Sequence, residues 1–161
     1  MTLFLSSAFG PRAHVVPLIV RVALGLLFVV AGALKLGHAS DLAATITAFG
    51  LGLPGTLVAI VAVALPPFEL LLGIYLIGGW LLPVTSLVAA ALLAVFIAVV
   101  ASVVARGLSV SCGCFGAADS APATWWTVGR DALFLIPTLY VAWWSRRRLT
   151  SQARSIRTDR D

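Results

Sequence analysis

Charge is the scarcest thing in this chain of 161 residues. Only 11% of it is Asp, Glu, Lys or Arg, and 61% is apolar, against about 25% charged and 45–50% apolar in soluble domains. Too little polar surface remains to cover a core in water, so a soluble globular domain is excluded. Cysteine is nearly absent as well, with only Cys112 and Cys114, which rules out a multi-disulfide scaffold and a four-cysteine zinc site. There is no internal repeat and no low-complexity tract. Acidic residues number six against eleven basic ones, a formal net charge of +5. This excess does not point to nucleic acid, because six of the cations fall between Arg146 and Arg160, directly after an apolar segment. Placed there, they act as an orientation signal for a protein whose solvent is the lipid bilayer.

What the chain has in quantity is apolar runs. A helix crossing a hydrocarbon core of about 30 Å needs about 20 mostly apolar residues, and four segments meet that need: 14–36, 54–79, 82–105 and 125–145. The 52 residues from Pro54 to Ala105 are too many for one crossing, and Gly78, Gly79, Trp80 and Pro83 supply a break. The first segment has no basic start and no small-residue cleavage site, so it is expected to be a retained span rather than a signal peptide. The expected fold is all-α, an integral membrane four-helix bundle over 1–145 followed by a basic tail over 146–161. That tail looks disordered or surface-lying. Arg12 and the tail arginines lie on one side and Lys35 and Arg106 on the other, so both termini are expected in the cytoplasm. The protein is then a multi-pass component of the cell (inner or plasma) membrane, with the loops 35–53 and 106–124 outside. Trp80, Trp125, Trp126, Trp143 and Trp144 fall at span ends, where indole rings prefer to lie.

The run Ser111-Cys112-Gly113-Cys114-Phe115-Gly116 therefore sits in the oxidising compartment. Two thiols one glycine apart can close a small ring, since glycine tolerates the backbone angles required. As a staple the bridge would be weak: chain entropy gives about 3 kcal/mol for a 15-residue loop and roughly 1.6 kcal/mol for three residues, before strain. Strain makes a disulfide more reducible, so Cys112 and Cys114 are read first as an exchanging redox pair. A structural pair and metal capture are the alternatives. Capture would draw on His38 and Asp41 in the other outward loop or on Asp119 nearby, but no ligand spacing supports it, and no metal is expected.

Ionisable residues inside spans are costly and need partners. Arg21 lies roughly 10 Å and Glu69 roughly 15 Å from the inner surface at 1.5 Å per residue, so they are expected to form an intramembrane pair. It would be either a structural clamp or the polar floor of a pocket. Pro66 and Pro67 are expected to disturb the second span just before Glu69. Near the outer face, Lys35 is expected to clamp Asp131 while Arg130 snorkels to the headgroups. Alternatively, Arg130 or Arg106 lowers the pKa of a cysteine thiol and activates it. His14 and His38 read as interfacial, and Gly25 and Gly32 as a face for close helix packing.

Taken together, Arg21 to Leu36 (RVALGLLFVVAGALKL), Pro66 to Gly73 (PPFELLLG), the Cys-Gly-Cys-Phe-Gly run and Gly129 to Leu133 (GRDAL) resemble the MauE branch of the DoxX-like membrane proteins. These elements stand in the family's order and cover nearly all four spans. The Cys-Gly-Cys-Phe-Gly run is the most specific of them. The resemblance implies extracytoplasmic thiol and disulfide chemistry with a thioredoxin-like partner, with Arg21, Lys35, Glu69, Cys112, Cys114 and Arg130 as matching positions. Asp131 departs from the pattern, where asparagine is expected after the arginine, and nothing ties the chain to methylamine itself.

The expected function is thus thiol-disulfide exchange between the Cys-Gly-Cys pair and a thioredoxin-like protein, in contact with lipid and not with nucleic acid. One pair cannot relay electrons across the membrane alone. By analogy with other four-helix disulfide-forming membrane enzymes, a quinone docked between helices near the outer leaflet is the expected second acceptor. The residues leave open whether the chain is itself an oxidoreductase. The reading from another class is a non-catalytic membrane subunit, or a carrier of a small molecule or metal, in which the cysteine pair is structural or a ligand.

Overall fold

The computed structural model of the chain describes residues 12–113 and 122–158. Among these residues there are five helices: α1 (Arg12–Lys35), α2 (Ala39–Ala48), α3 (Gly55–Gly78), α4 (Leu82–Ala105) and α5 (Trp125–Thr158). One isolated antiparallel bridge joins Ser111 to Pro122. Helix is the natural outcome for apolar runs in lipid, because only there does every backbone group find its partner within the segment. Three helices are long and apolar enough to cross a membrane: Val15–Lys35 within α1, Gly55–Gly78 and Leu82–Ala105. The 24 residues of α3 or α4 reach about 36 Å at 1.5 Å per residue. The expected fourth span is helical but falls outside this group, since Arg130, Asp131 and the indoles dilute its apolar content. Helix α5 also continues to Thr158, so the basic segment up to that residue is helical and not disordered.

α3 gives way to α4 within three residues. Gly79, at φ 73°, donates its N–H to Tyr75 and Leu76 carbonyls and caps α3 in the left-handed conformation that suits glycine. Pro83 then stands in the first turn of α4. α3 itself runs through Pro66 and Pro67 without interruption. α1 packs against α3 and α5, α4 packs against the same two helices, and α2 lies on α3. The centre is filled by Phe28, Leu72, Leu76, Ala89 and Leu93. A second cluster of Phe49, Val100, Val103, Cys112 and Ala123 lies at the end where α4 finishes, and Ile46, Val58 and Ala62 seat α2. Ile60, Val63 and Val95, by contrast, are exposed. Apolar side chains on the outside and charges on the inside are the pattern of a chain solvated by lipid.

The α1–α3 contact is set by glycine. A Cβ on Gly32 would lie 2.7 Å from Pro66 O and 2.8 Å from Leu70 N, and one on Gly25 would lie 2.8 Å from Gly73 O. Only hydrogen at these positions lets the two backbones approach so closely.

Candidate functional site: a charged cavity beside the buried Cys112

That glycine contact also fixes which charges meet. The helices run antiparallel, with Gly25 opposite Gly73 and Ile77, and Gly32 opposite Pro66 and Leu70. Moving toward the end of α1 therefore means moving back along α3. Lys35, nearly one turn past Gly32, reaches Glu69, and its Nζ donates to both carboxylate oxygens at 2.8 Å. Both residues are buried. Arg21 is carried to the other end of α3, where Nη2 donates to Ile77 O at 3.2 Å and the guanidinium rests against Gly79. Its Nε is buried without a hydrogen-bond partner. The expected pairing of Arg21 with Glu69 is therefore corrected. Similar depth counted from span ends does not bring two residues together when the helix register carries one past the other. The expected clamp between Lys35 and Asp131 is corrected too: Lys35 is held by Glu69, and the buried Asp131 accepts from Arg130 Nε at 3.1 Å.

These four charges stand around a cavity of about 70 Å³ between the long helices. The rest of its lining is apolar: Leu27, Phe28 and Ala31 from α1, Leu65 from α3, Leu92, Leu93 and Phe96 from α4, and Phe134 from α5. Two neutral charge pairs thus provide hydrogen-bonding groups in an otherwise greasy chamber, the composition expected of a small-molecule site.

Phe96 links this chamber to the cysteine segment, since it lines the cavity and also packs against the cluster that contains Cys112. Cys112 is disulfide-bonded and only 3% exposed. Cys114, the other cysteine of the chain, and Asp119 lie outside the described residues. The segment is held by Ala123 N–H donating to Val110 O at 2.8 Å, beside the Ser111–Pro122 bridge. Gly113 has φ 65°, and a Cβ there would come within 3.0 Å of Thr45 Cγ2. Both the backbone angle and the approach of α2 call for glycine between the cysteines.

Arg106, considered above as an activator of a thiol, has another task. Nε donates to Ser102 O and Nη1 to Gly50 O, each at 3.1 Å, and Nη2 donates to Phe49 O. It ties the end of α2 to the end of α4. His38 is exposed, with Nδ1 3.2 Å from Leu36 O. Among the described residues no group of three or more His, Cys, Asp and Glu could hold a metal ion. Sequence reasoning missed α2, which it treated as loop. Leu42, Ile46 and Phe49, spaced four and three apart, carry the helical signal that could have revealed it.

Several long apolar helices, a buried Lys35–Glu69 ion pair between two of them and a disulfide-bearing segment define an integral membrane protein of the multi-pass class. The family described as methylamine utilisation protein MauE matches residues 13–144, and this chain belongs to that family. A curated relative, the methylamine utilization protein MauE of Paracoccus denitrificans, is 34% identical over 123 residues, which make up 76% of this chain and 66% of that protein. The chain thus spans just under two thirds of that relative's length. No solved structure matches the chain significantly.

Proposed function

We propose that the chain is a four-span, DoxX-like membrane thiol-disulfide redox protein whose Cys112–Cys114 pair exchanges with an extracytoplasmic thioredoxin-like partner. The observation that carries the reading is Cys112 itself, disulfide-bonded and buried in a cluster against which Phe96, a lining residue of the charged cavity, also packs. α5 serves as the fourth span. Leu133 and Ile136 are exposed there, and lipid is the solvent that suits them, while Arg130 and Asp131 neutralise one another. The arginines after Trp144 orient both termini to the cytoplasm and the cysteines to the outside.

In the exchange, a partner thiolate attacks the sulfur of Cys114, the Cys112–Cys114 bond breaks, and Cys112 leaves as a thiolate that takes up a proton. The partner's second thiolate then attacks its own sulfur in the mixed disulfide and releases Cys114. The partner has lost two electrons and the pair has gained them; the reverse sequence oxidises the pair. Burial of Cys112 supports its role as the resolving cysteine. A reduced pair needs a second acceptor, and a quinone is the one we propose; the cavity of about 70 Å³ is smaller than the roughly 150 Å³ that admits a benzene ring, so it would have to widen to take a quinone ring. Lys35, which gives two of its three ammonium hydrogens to Glu69, would then direct the third toward a carbonyl oxygen. A bound quinone would supply a sink for two electrons and two protons.

Differential alkylation of the cysteines in intact cells, with and without reductant, tests this function. Cycling predicts a mixture of oxidised and reduced pairs that shifts with the cell's redox state, with the reduced pair labelled by a membrane-impermeant reagent from outside. A pair that never changes state would favour a non-catalytic membrane subunit.

A further inference from the structure

Lys35 and Arg130 each meet a carboxylate, and Arg21 meets none among the described residues. A guanidinium has five N–H donors, and Arg21 spends one of them, on Ile77 O at 3.2 Å. Its Nε is buried and bonded to nothing. A Cβ on Gly79 would collide with its Nη1 and lie 2.9 Å from its Cζ, so the head rests directly on the backbone of the α3–α4 turn. Both hydrogens of Nη1 and one of Nη2 remain for a ligand. The surroundings identify where that ligand comes from. Next to Gly79, Trp80 is 62% exposed and Leu81 69%, and Trp80 stands edge-on to Tyr75 with ring centroids 5.7 Å apart. An exposed indole at a span end marks the headgroup level of a bilayer. Val15, Val16, Leu18 and Ile19, in the two turns of α1 before Arg21, are exposed as well, and a bare apolar patch of this kind is a membrane-contacting surface. The anion that a bilayer offers at headgroup level is a phosphodiester, and the planar fork of arginine matches two of its oxygens.

We propose that Arg21 and the α3–α4 turn form a binding site for the headgroup phosphate of an anionic phospholipid, with Nη1 and Nη2 donating to phosphate oxygens and the acyl chains lying along the exposed apolar side chains of α1. The lipid's charge does for Arg21 what Glu69 does for Lys35: it supplies the counter-charge that a cation in a membrane requires. In the orientation proposed above the site opens to the cytoplasmic leaflet, where anionic lipids are concentrated. Neither the cysteines nor the cavity takes part, so lipid binding and thiol exchange stand or fall separately.

The test uses the full-length protein in detergent micelles to which phosphatidylglycerol is added, with phosphatidylcholine in one parallel series and inorganic phosphate in another. Native mass spectrometry counts the lipids retained, and circular dichroism follows thermal unfolding. Wild type is expected to bind phosphatidylglycerol about tenfold more tightly than Arg21→Met. The same lipid should raise the unfolding temperature of wild type and leave that of Arg21→Met where it stands in plain detergent. Phosphatidylcholine and inorganic phosphate at equal concentration should shift neither protein. The arginines after Trp144 attract anionic lipid too, so a variant with Arg146→Gln and Arg147→Gln is the control: it binds less lipid in total, and its unfolding temperature still rises through Arg21. Should Arg21→Met not yield folded protein, Arg21→Lys, which keeps the charge without the planar fork, is expected to bind more weakly than wild type. Equal binding of phosphatidylglycerol by wild type and either Arg21 variant overturns the proposal. So does a rise in the unfolding temperature of wild type with phosphatidylcholine or with inorganic phosphate that equals the rise with phosphatidylglycerol.

Discussion

Helix α1 carries Arg21 near its middle and Lys35 at its end, and the two are treated differently. Lys35 is buried, bonded to both oxygens of Glu69, and faces a cavity. Arg21 makes one hydrogen bond to a backbone carbonyl at the α3–α4 turn and leaves Nε buried without a partner. Two charges on one helix thus differ in their meaning. A buried charge matched by a buried counter-charge is costly to break, and beside a cavity it is also available to a ligand. A guanidinium against a carbonyl at a helix end is an anchor, whose long apolar stem lies along the helices while its head seeks polar groups.

This contrast can be broken by mutation. The largest effect is expected from Glu69→Gln, which strands the buried Lys35 ammonium; losses of about 3–5 kcal/mol follow when one partner of a buried pair is removed. Unfolding in detergent micelles, followed by circular dichroism, measures it. Adding Lys35→Met to a Glu69→Leu background should recover much of that loss, whereas adding Arg21→Gln to Glu69→Gln should give simple additivity. Recovery with Arg21 instead would return the pairing to the one expected from depth alone. An intermediate effect is expected for Gly32→Ala, since the new Cβ would meet backbone atoms of Pro66 and Leu70 that cannot swing aside. Overpacking of this kind costs about 1–3 kcal/mol and should appear in the same unfolding assay. The smallest effect is expected for Arg21→Met, which removes one hydrogen bond and one unsatisfied buried nitrogen together. Its unfolding midpoint should lie close to wild type, within about 1 kcal/mol.

Much of the helical plan was legible because apolar length and glycine or proline punctuation are local properties. The spans expected at 54–79 and 82–105 overlie α3 and α4 almost residue for residue, since Gly79 and Pro83 end and begin helices by their own backbone chemistry. The pairing of charges was not legible. It depends on the antiparallel register of α1 and α3, which Gly25, Gly32 and Gly73 set through contacts between residues far apart in the chain. The same holds for Arg106, whose carbonyl partners Phe49 and Gly50 lie in a different loop. α2 was hidden for another reason: at ten residues it is too short to announce itself by length and is held by packing on α3. That Cys112 is disulfide-bonded could be expected from the Cys-Gly-Cys spacing, but its burial could not.

The central claim, that Cys112 and Cys114 exchange with a thioredoxin-like protein, is tested most directly by replacing each cysteine singly with serine in cells. Membranes are then run on non-reducing gels, and any covalent adduct is identified by mass spectrometry. With Cys112 as the resolving cysteine, Cys112→Ser should hold a thioredoxin-like protein through Cys114 in a reductant-sensitive band, and Cys114→Ser should hold far less. No adduct with either variant would contradict the account.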